Sequence, residues 1–189
     1  IHLPEGTSFR FDPQESQFFK AITSTANLGF VLAAGALELG DASIAHGVVG
    51  AESSIFRQTA ERIIRSARMI GGIAIADDPL EAGAKIRRIH EHIYGLGQDG
   101  ERVLATDPYV YAKGWLPIVW MMEQSLLRMG TSEVGMNNWY KETLVAFQSQ
   151  GVSDEFVPKT YAEYLEAIEQ FSAAVGKTEA TDRFREHGV

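Results

Sequence analysis

Apolar residues recur along this chain at the three-and-four spacing of helices and almost nowhere in the alternation of strands. The clearest case is a segment opened by Ser54, where Phe56, Thr59, Ile63, Ile64, Ala67 and Ile70 share one helical face. Gln58, Glu61, Arg62, Arg65 and Arg68 take the others, and Gly71-Gly72 is expected to weaken or end the helix. Upstream, Asp12-Pro13-Gln14-Glu15 reads as a helix start, with Asp12 as cap and Pro13 at the first position, followed by a helix to about Asn27. From Leu28 to Val49 the residues are small and apolar, with Glu38, Asp41 and His46 the only strongly polar ones, which predicts a buried helix or helix pair.

The second half repeats the same punctuation. Asp78-Pro79-Leu80-Glu81 starts a helix that should end near Gly95, with His90 in its last turns. Asp99-Gly100 suits a tight turn between two short extended pieces. Asp107-Pro108 caps an aromatic helix carrying Tyr109, Tyr111, Trp115, Val119, Trp120 and Met121, which Gly114 and Pro117 should kink. Thr131-Ser132 starts a helix to about Gln150, Gly151-Val152 breaks it, and Thr160-Tyr161-Ala162-Glu163 is a capping box for a last helix to about Val175. The polar tail from Gly176 is expected to be loose. The fold expectation is all-α, a single compact domain over residues 1–189 with its core at about 12–175, built as a bundle of about seven helices.

Composition narrows the partners. The chain has 189 residues, 45% of them hydrophobic, enough for one sizeable core. Seventeen basic against 25 acidic residues leave a net charge of -8, which argues against nucleic acid even though basic residues cluster between Arg57 and Arg68. Without cysteine there is no disulfide, thiolate ligand or cysteine nucleophile, so a metal would be held by nitrogen or oxygen. The longest apolar run, near Leu28 to Leu39, falls short of the roughly 20 residues that span a bilayer. The expectation is a soluble, cytoplasmic protein with no stable membrane insertion and no visible signal peptide; the start at Ile1 reads as a processed or trimmed end.

Several chemistries have no motif here: no phosphate-binding Walker loop, no Gly-x-Ser-x-Gly elbow and no His-Glu-x-x-His pair. His90 and His92 stand two apart, which sets them about 200° apart on a helix, so one at most should be a direct metal ligand. Arg62, Arg65 and Ser66 lie at i, i+3 and i+4. That spacing makes either a solvated stripe or a set of donors over a bound anion or oxygen. Alone, His90 is more readily a packed or half-exposed helix histidine than a ligand.

The order of these pieces changes the balance. Ser54-Ile55-Phe56-Arg57, Arg62-Ile63-Ile64-Arg65-Ser66, and Arg87-Arg88-Ile89-His90 with Gly95, Asp99-Gly100 and Asp107-Pro108 follow one another. Trp139-Tyr140, Gly151-Val152 and Pro158-Lys159-Thr160 complete the series. Over roughly residues 30 to 170 the chain resembles the family of the fungal MpaB oxygenases and the bacterial latex-clearing rubber oxygenases, whose catalytic domain binds haem b. The resemblance implies a globin-like helical core and a haem iron ligated by His90. It implies a distal element at Arg62, Arg65 and Ser66, with Arg87 also beside the cofactor. The implied activity is oxidation or cleavage of an unsaturated, lipophilic, isoprenoid-like substrate by dioxygen; the alternative is a non-catalytic haem- or lipophile-binding protein.

The expected apolar pocket draws on Phe30, Val31, Trp115, Val119, Trp120 and Met121. Glu38, Asp41 and Glu52 are the carboxylates near it, and none is assigned as a base. The chain also departs from the family pattern. Asp41-Ala42 stands where members carry His-Pro. Lys113-Gly114-Trp115-Leu116-Pro117 stands where many carry Trp-Val-His-x-Thr. Tyr94 replaces an arginine often found before the glycine.

Overall fold

A computed structural model describes residues 10–45, 58–96 and 100–182. In the order of the chain it contains α1 (Gln17–Thr23), a 3-10 turn (Thr25–Gly29), α2 (Val31–Gly40), α3 (Thr59–Ile75), α4 (Pro79–His90), β1 (Tyr94–Leu96), β2 (Arg102–Leu104), α5 (Pro108–Arg128), α6 (Glu133–Ser149) and α7 (Tyr161–Ala174). The architecture is all-α, with one antiparallel hairpin pairing Tyr94 with Leu104 and Leu96 with Arg102. Residues 54–57, the start of the segment opened by Ser54, lie outside the described residues, as do His46, Glu52 and Asp99.

Capping chemistry explains most of the boundaries. Asp78 accepts from the amides of Leu80 and Glu81, and Asp107 from those of Tyr109 and Val110, each ahead of a proline at the first helical position. Ser132 and Thr160 accept from Gly135 and Glu163. At the end of α6, Gly151 adopts φ 67° and the amide of Val152 returns to the carbonyl of Phe147 at 3.1 Å, a left-handed stop that glycine takes without a Cβ penalty.

The stretch expected as a buried helix is only partly buried: Leu28 and Leu32 are exposed, and Ala34, Leu39 and Gly40 are the buried residues of α2. Four other expectations need correction. The helix foreseen from Asp12 begins a turn later: Asp12 instead bonds the Gln14 amide at 2.7 Å, and Ser16 caps α1 by accepting from Phe19. It also stops at Ser24, whose side chain caps the 3-10 turn that follows. Gly71-Gly72 does not end α3, which runs on to Ile75 because Ile73 and Ala74 are buried and pack the last turn into the core. The roughly 1 kcal/mol that each glycine costs a helix is small beside that burial. Nor is the tail loose through residue 182: Gly176 N–H donates to the Gly40 carbonyl at 3.1 Å, Thr178 Oγ1 to that of Leu39 at 2.6 Å, and Ala180 is fully buried.

One smaller difference concerns α4, which ends at His90 rather than near Gly95; α5 carries Pro117 inside its span. The largest core side chains, Trp139, Tyr140, Tyr164 and Phe18, come from α6, α7 and α1. α4 lies across α6 so closely that a Cβ on Gly83 would overlap Ser149. Among the described residues no helix is long and apolar enough to cross a membrane.

Candidate active site

The site is a cavity of about 930 Å³ between α2, α3, α4, the hairpin and α5. Its size is at the upper end of cofactor and ligand cavities, which run about 300–1,000 Å³. Most of the wall is apolar: Val31 and Ala34 from α2, Ile63 and Ile70 from α3, Ile86 from α4, and Trp115, Ile118 and Met121 from α5. Into this wall three helices each set one ionisable group: Glu38 from α2, Arg62 from α3 and His90 from α4.

His90 is half-buried, and its Nδ1 lies 2.9 Å from the Ile86 carbonyl one turn back. A carbonyl only accepts, so Nδ1 carries the hydrogen and the lone pair belongs to Nε2. Burial holds the imidazole pKa below its ordinary value; the Ile86 bond opposes this and the Arg62 charge adds to it. At neutral pH the ring is therefore uncharged. It packs at a tilt on Tyr111, with centroids 5.3 Å apart, and burial pushes the Tyr111 phenol up to about 12. Glu38 also has a raised pKa, through burial that the Arg62 guanidinium only partly offsets.

The arginine element of α3 is divided by helix geometry. Arg62 and Ser66 line the cavity together with Ile63, Met69 and Ile70. Arg65 is exposed and sits with Glu61, Ile64 and Arg68 on the outer side. At about 100° per residue it points roughly 60° from Arg62, on the side away from Ser66. Arg87 also stays out of the cavity wall; it donates to the Gly151 carbonyl at 2.7 Å and pairs with Glu91 at 3.2 Å, joining α4 to the end of α6.

The expected apolar wall is likewise split. Val31, Trp115 and Met121 line the cavity, whereas Val119 is wholly in the core and Phe30 packs edge-on against Trp120 at 5.9 Å. His92 reaches the rim after all, because the helix ends at His90 and the 200° separation no longer applies. Tyr111, Ser43 and the hairpin residues Tyr94 and Leu104 are wall residues that sequence reasoning missed. Tyr111 had a readable signal, since it precedes Trp115 by one turn and Ile118 by two.

The departures at Asp41 and Lys113 meet in space. Asp41 Oδ2 and Lys113 Nζ are 2.7 Å apart, and Asp41 also accepts from the backbone of Ser43 and Ile44 and from the Ser43 hydroxyl. Burial pushes the Asp41 carboxyl up, but these bonds outweigh it and hold the pKa below the usual value. Lys113 in turn lies over the Tyr109 ring, 4.7 Å from its centroid. The pair ties the end of α2 to α5 and sets Ser43 and Ile44 into the cavity wall.

Among the described residues no group of three or more histidine, aspartate or glutamate side chains converges to hold a bare metal ion. A macrocycle-bound iron asks less of the protein, a single neutral nitrogen facing an apolar space, and His90 with its fixed tautomer meets that demand. The residues present fit the group that the resemblance implies.

No curated protein and no solved structure matches this chain. A family model described as "ER-bound oxygenase mpaB/B'/Rubber oxygenase, catalytic domain" matches residues 22–187, from the end of α1 past α7. That span takes in the whole cavity, and on it the chain belongs to the mpaB/rubber oxygenase catalytic-domain family.

Proposed function

We propose that this protein is a haem b-dependent oxygenase acting on an unsaturated, lipophilic, isoprenoid-like molecule. The observation that carries this reading is the neutral, tautomer-fixed imidazole of His90 facing a large apolar cavity in a chain of an oxygenase family. His90 would hold the iron through Nε2, and haem when bound would supply dioxygen activation. The Ile86 carbonyl keeps the Nδ1 hydrogen in place and so keeps Nε2 available. Arg62 and Ser66 put a cationic donor and a hydroxyl on the wall, where preorganised donors stabilise developing negative charge by about 3 kcal/mol each. Glu38, its pKa raised, can hold a proton inside the cavity. The apolar wall takes up the substrate chain and excludes water.

The test is spectroscopic. Purified protein, as isolated or after addition of haem, should show a Soret band that His90→Ala shifts or removes, and the loaded protein should consume oxygen with an alkene-bearing isoprenoid. A protein that takes up no haem refutes the reading. Haem uptake without oxygen consumption by any such alkene turns it into that of a haem or lipophile carrier.

A further inference from the structure

On the side of α5 away from the cavity, α5, α6 and α7 meet around a buried carboxylate. Glu123 is 3% exposed, and both of its oxygens accept phenol protons: Oε1 from Tyr161 at 2.7 Å and Oε2 from Tyr164 at 3.1 Å. Trp139 lies 6.1 Å from the rings of Tyr140, Tyr161 and Tyr164, and Tyr161 stacks on Tyr164 at 6.0 Å. Phenylalanine would fill such a core equally well, and burying a carboxylate at its centre carries a desolvation cost. The cluster is therefore organised around a hydrogen-bond acceptor that two phenols share.

We propose that Glu123, Tyr161 and Tyr164 form a proton-coupled redox site that drains stray oxidising equivalents from the protein. A one-electron oxidant removes an electron from Tyr161 as its O–H bond breaks. The proton moves to Oε1 of Glu123, giving a neutral tyrosyl radical and a carboxylic acid. A thiol or ascorbate then returns the electron, and the proton goes back to the phenolic oxygen. Burial and the adjacent carboxylate raise the pKa of both phenols, so prior loss of the proton to water is disfavoured and transfer along the existing hydrogen bond is the open route. Tyr161 is only half-buried and is the end that solution reductants reach; Tyr164 is fully buried.

The cluster and the cavity wall share α5, and α6 packs on the wall as well. Trp115 lines the cavity, precedes Glu123 by eight residues on α5, or about 12 Å of helix, and packs edge-on against Phe147 at 5.2 Å. Phe147 belongs to α6, the helix that bears Trp139 and Tyr140. The oxidant by chemical class is an over-oxidised metal centre, so the biological role rests on the proposed function; the chemistry of the cluster does not.

The test uses purified protein without added haem and photogenerated tris-bipyridyl ruthenium(III) as the oxidant, with freeze-quenched electron paramagnetic resonance as the readout. A tyrosyl signal is expected that falls several-fold in Tyr161→Phe and further in the double variant with Tyr164→Phe. Glu123→Gln, which can still accept a hydrogen bond but takes up no proton, should lower the radical yield several-fold while circular dichroism stays unchanged. If that variant does not fold, Tyr161→Phe carries the test, since it removes one hydroxyl from a half-exposed ring. An unchanged yield in the phenylalanine variants, or a radical residing on the exposed Tyr94 and Tyr109, overturns the proposal. Failure of the haem reading would show separately as absence of a Soret band.

Discussion

His90, Arg62 and Arg65 show how much one residue's surroundings decide. Because burial and the Arg62 charge both depress the His90 pKa, the imidazole stays neutral below its ordinary value of about 6.5. Haem affinity should therefore be flat from pH 8 down to about 6.5 and fall only in more acid solution, as the proton begins to compete with iron; a Soret titration across pH 5 to 8 checks this. The same depression works on stability. The unfolded chain binds the proton more readily, so the contribution of His90 is full above about 6.5 and declines as the pH falls toward the folded-state value. Arg62→Ala should perturb the loaded protein's spectrum and lower oxygen turnover by 10²-fold or more, the range for loss of one preorganised donor. Arg65→Ala, on the outer side of the helix, should leave both near wild type, which side-by-side oxygen-electrode assays would show. Asp41 is 8% exposed in its side chain, so Lys113→Met strands a buried carboxylate. Loss of about 3 kcal/mol is expected, the lower end for a broken buried pair because Lys113 is itself a quarter exposed, measured by urea unfolding.

At the scale of the element, helix starts were readable at most places where a side chain announces them, Asp12 being the exception because it caps a turn and leaves the helix to Ser16. Asp78-Pro79, Asp107-Pro108 and Thr160 mark starts that the structure reproduces, because a cap acts within three residues of its own position. Stops governed by distant packing were not readable. α3 passes through Gly71-Gly72 since Ile73 and Ala74 are buried against other helices, and nothing local in the sequence reports that. Two glycines carry the helix geometry that positions His90. Gly83 lets α4 lie directly on α6, and Gly83→Ala should cost about 1–3 kcal/mol through overpacking against Ser149. Gly151 combines φ 67° with close contact to Arg87, so Gly151→Ala should cost about 1–2 kcal/mol from the left-handed backbone alone. Thermal unfolding of each variant, with haem uptake measured in parallel, would separate loss of stability from loss of the cavity.

Across the whole molecule, the tail closes the domain over the end of α2. Ending the chain at Gly176 removes the Thr178 bond to Leu39 and the buried Ala180, and the melting temperature should drop by several degrees, given about 2–4 °C per kcal/mol at this chain length. A truncated chain with an unchanged melting temperature would contradict the docked tail. The sequence by itself determined the helical class, most of the capped starts, the place of His90 in the last turns of its helix and the family, because each depends on residues that act over a turn or on an ordered run of motifs. Only the tertiary structure decided that Arg62 and Ser66 face the cavity while Arg65 and Arg87 do not, that Asp41 meets Lys113, and that Glu123 gathers two phenols. Those outcomes depend on how helices far apart in the chain are rotated and spaced against each other, and that rotation is set by the sum of many small packing contacts rather than by any one spacing in the sequence.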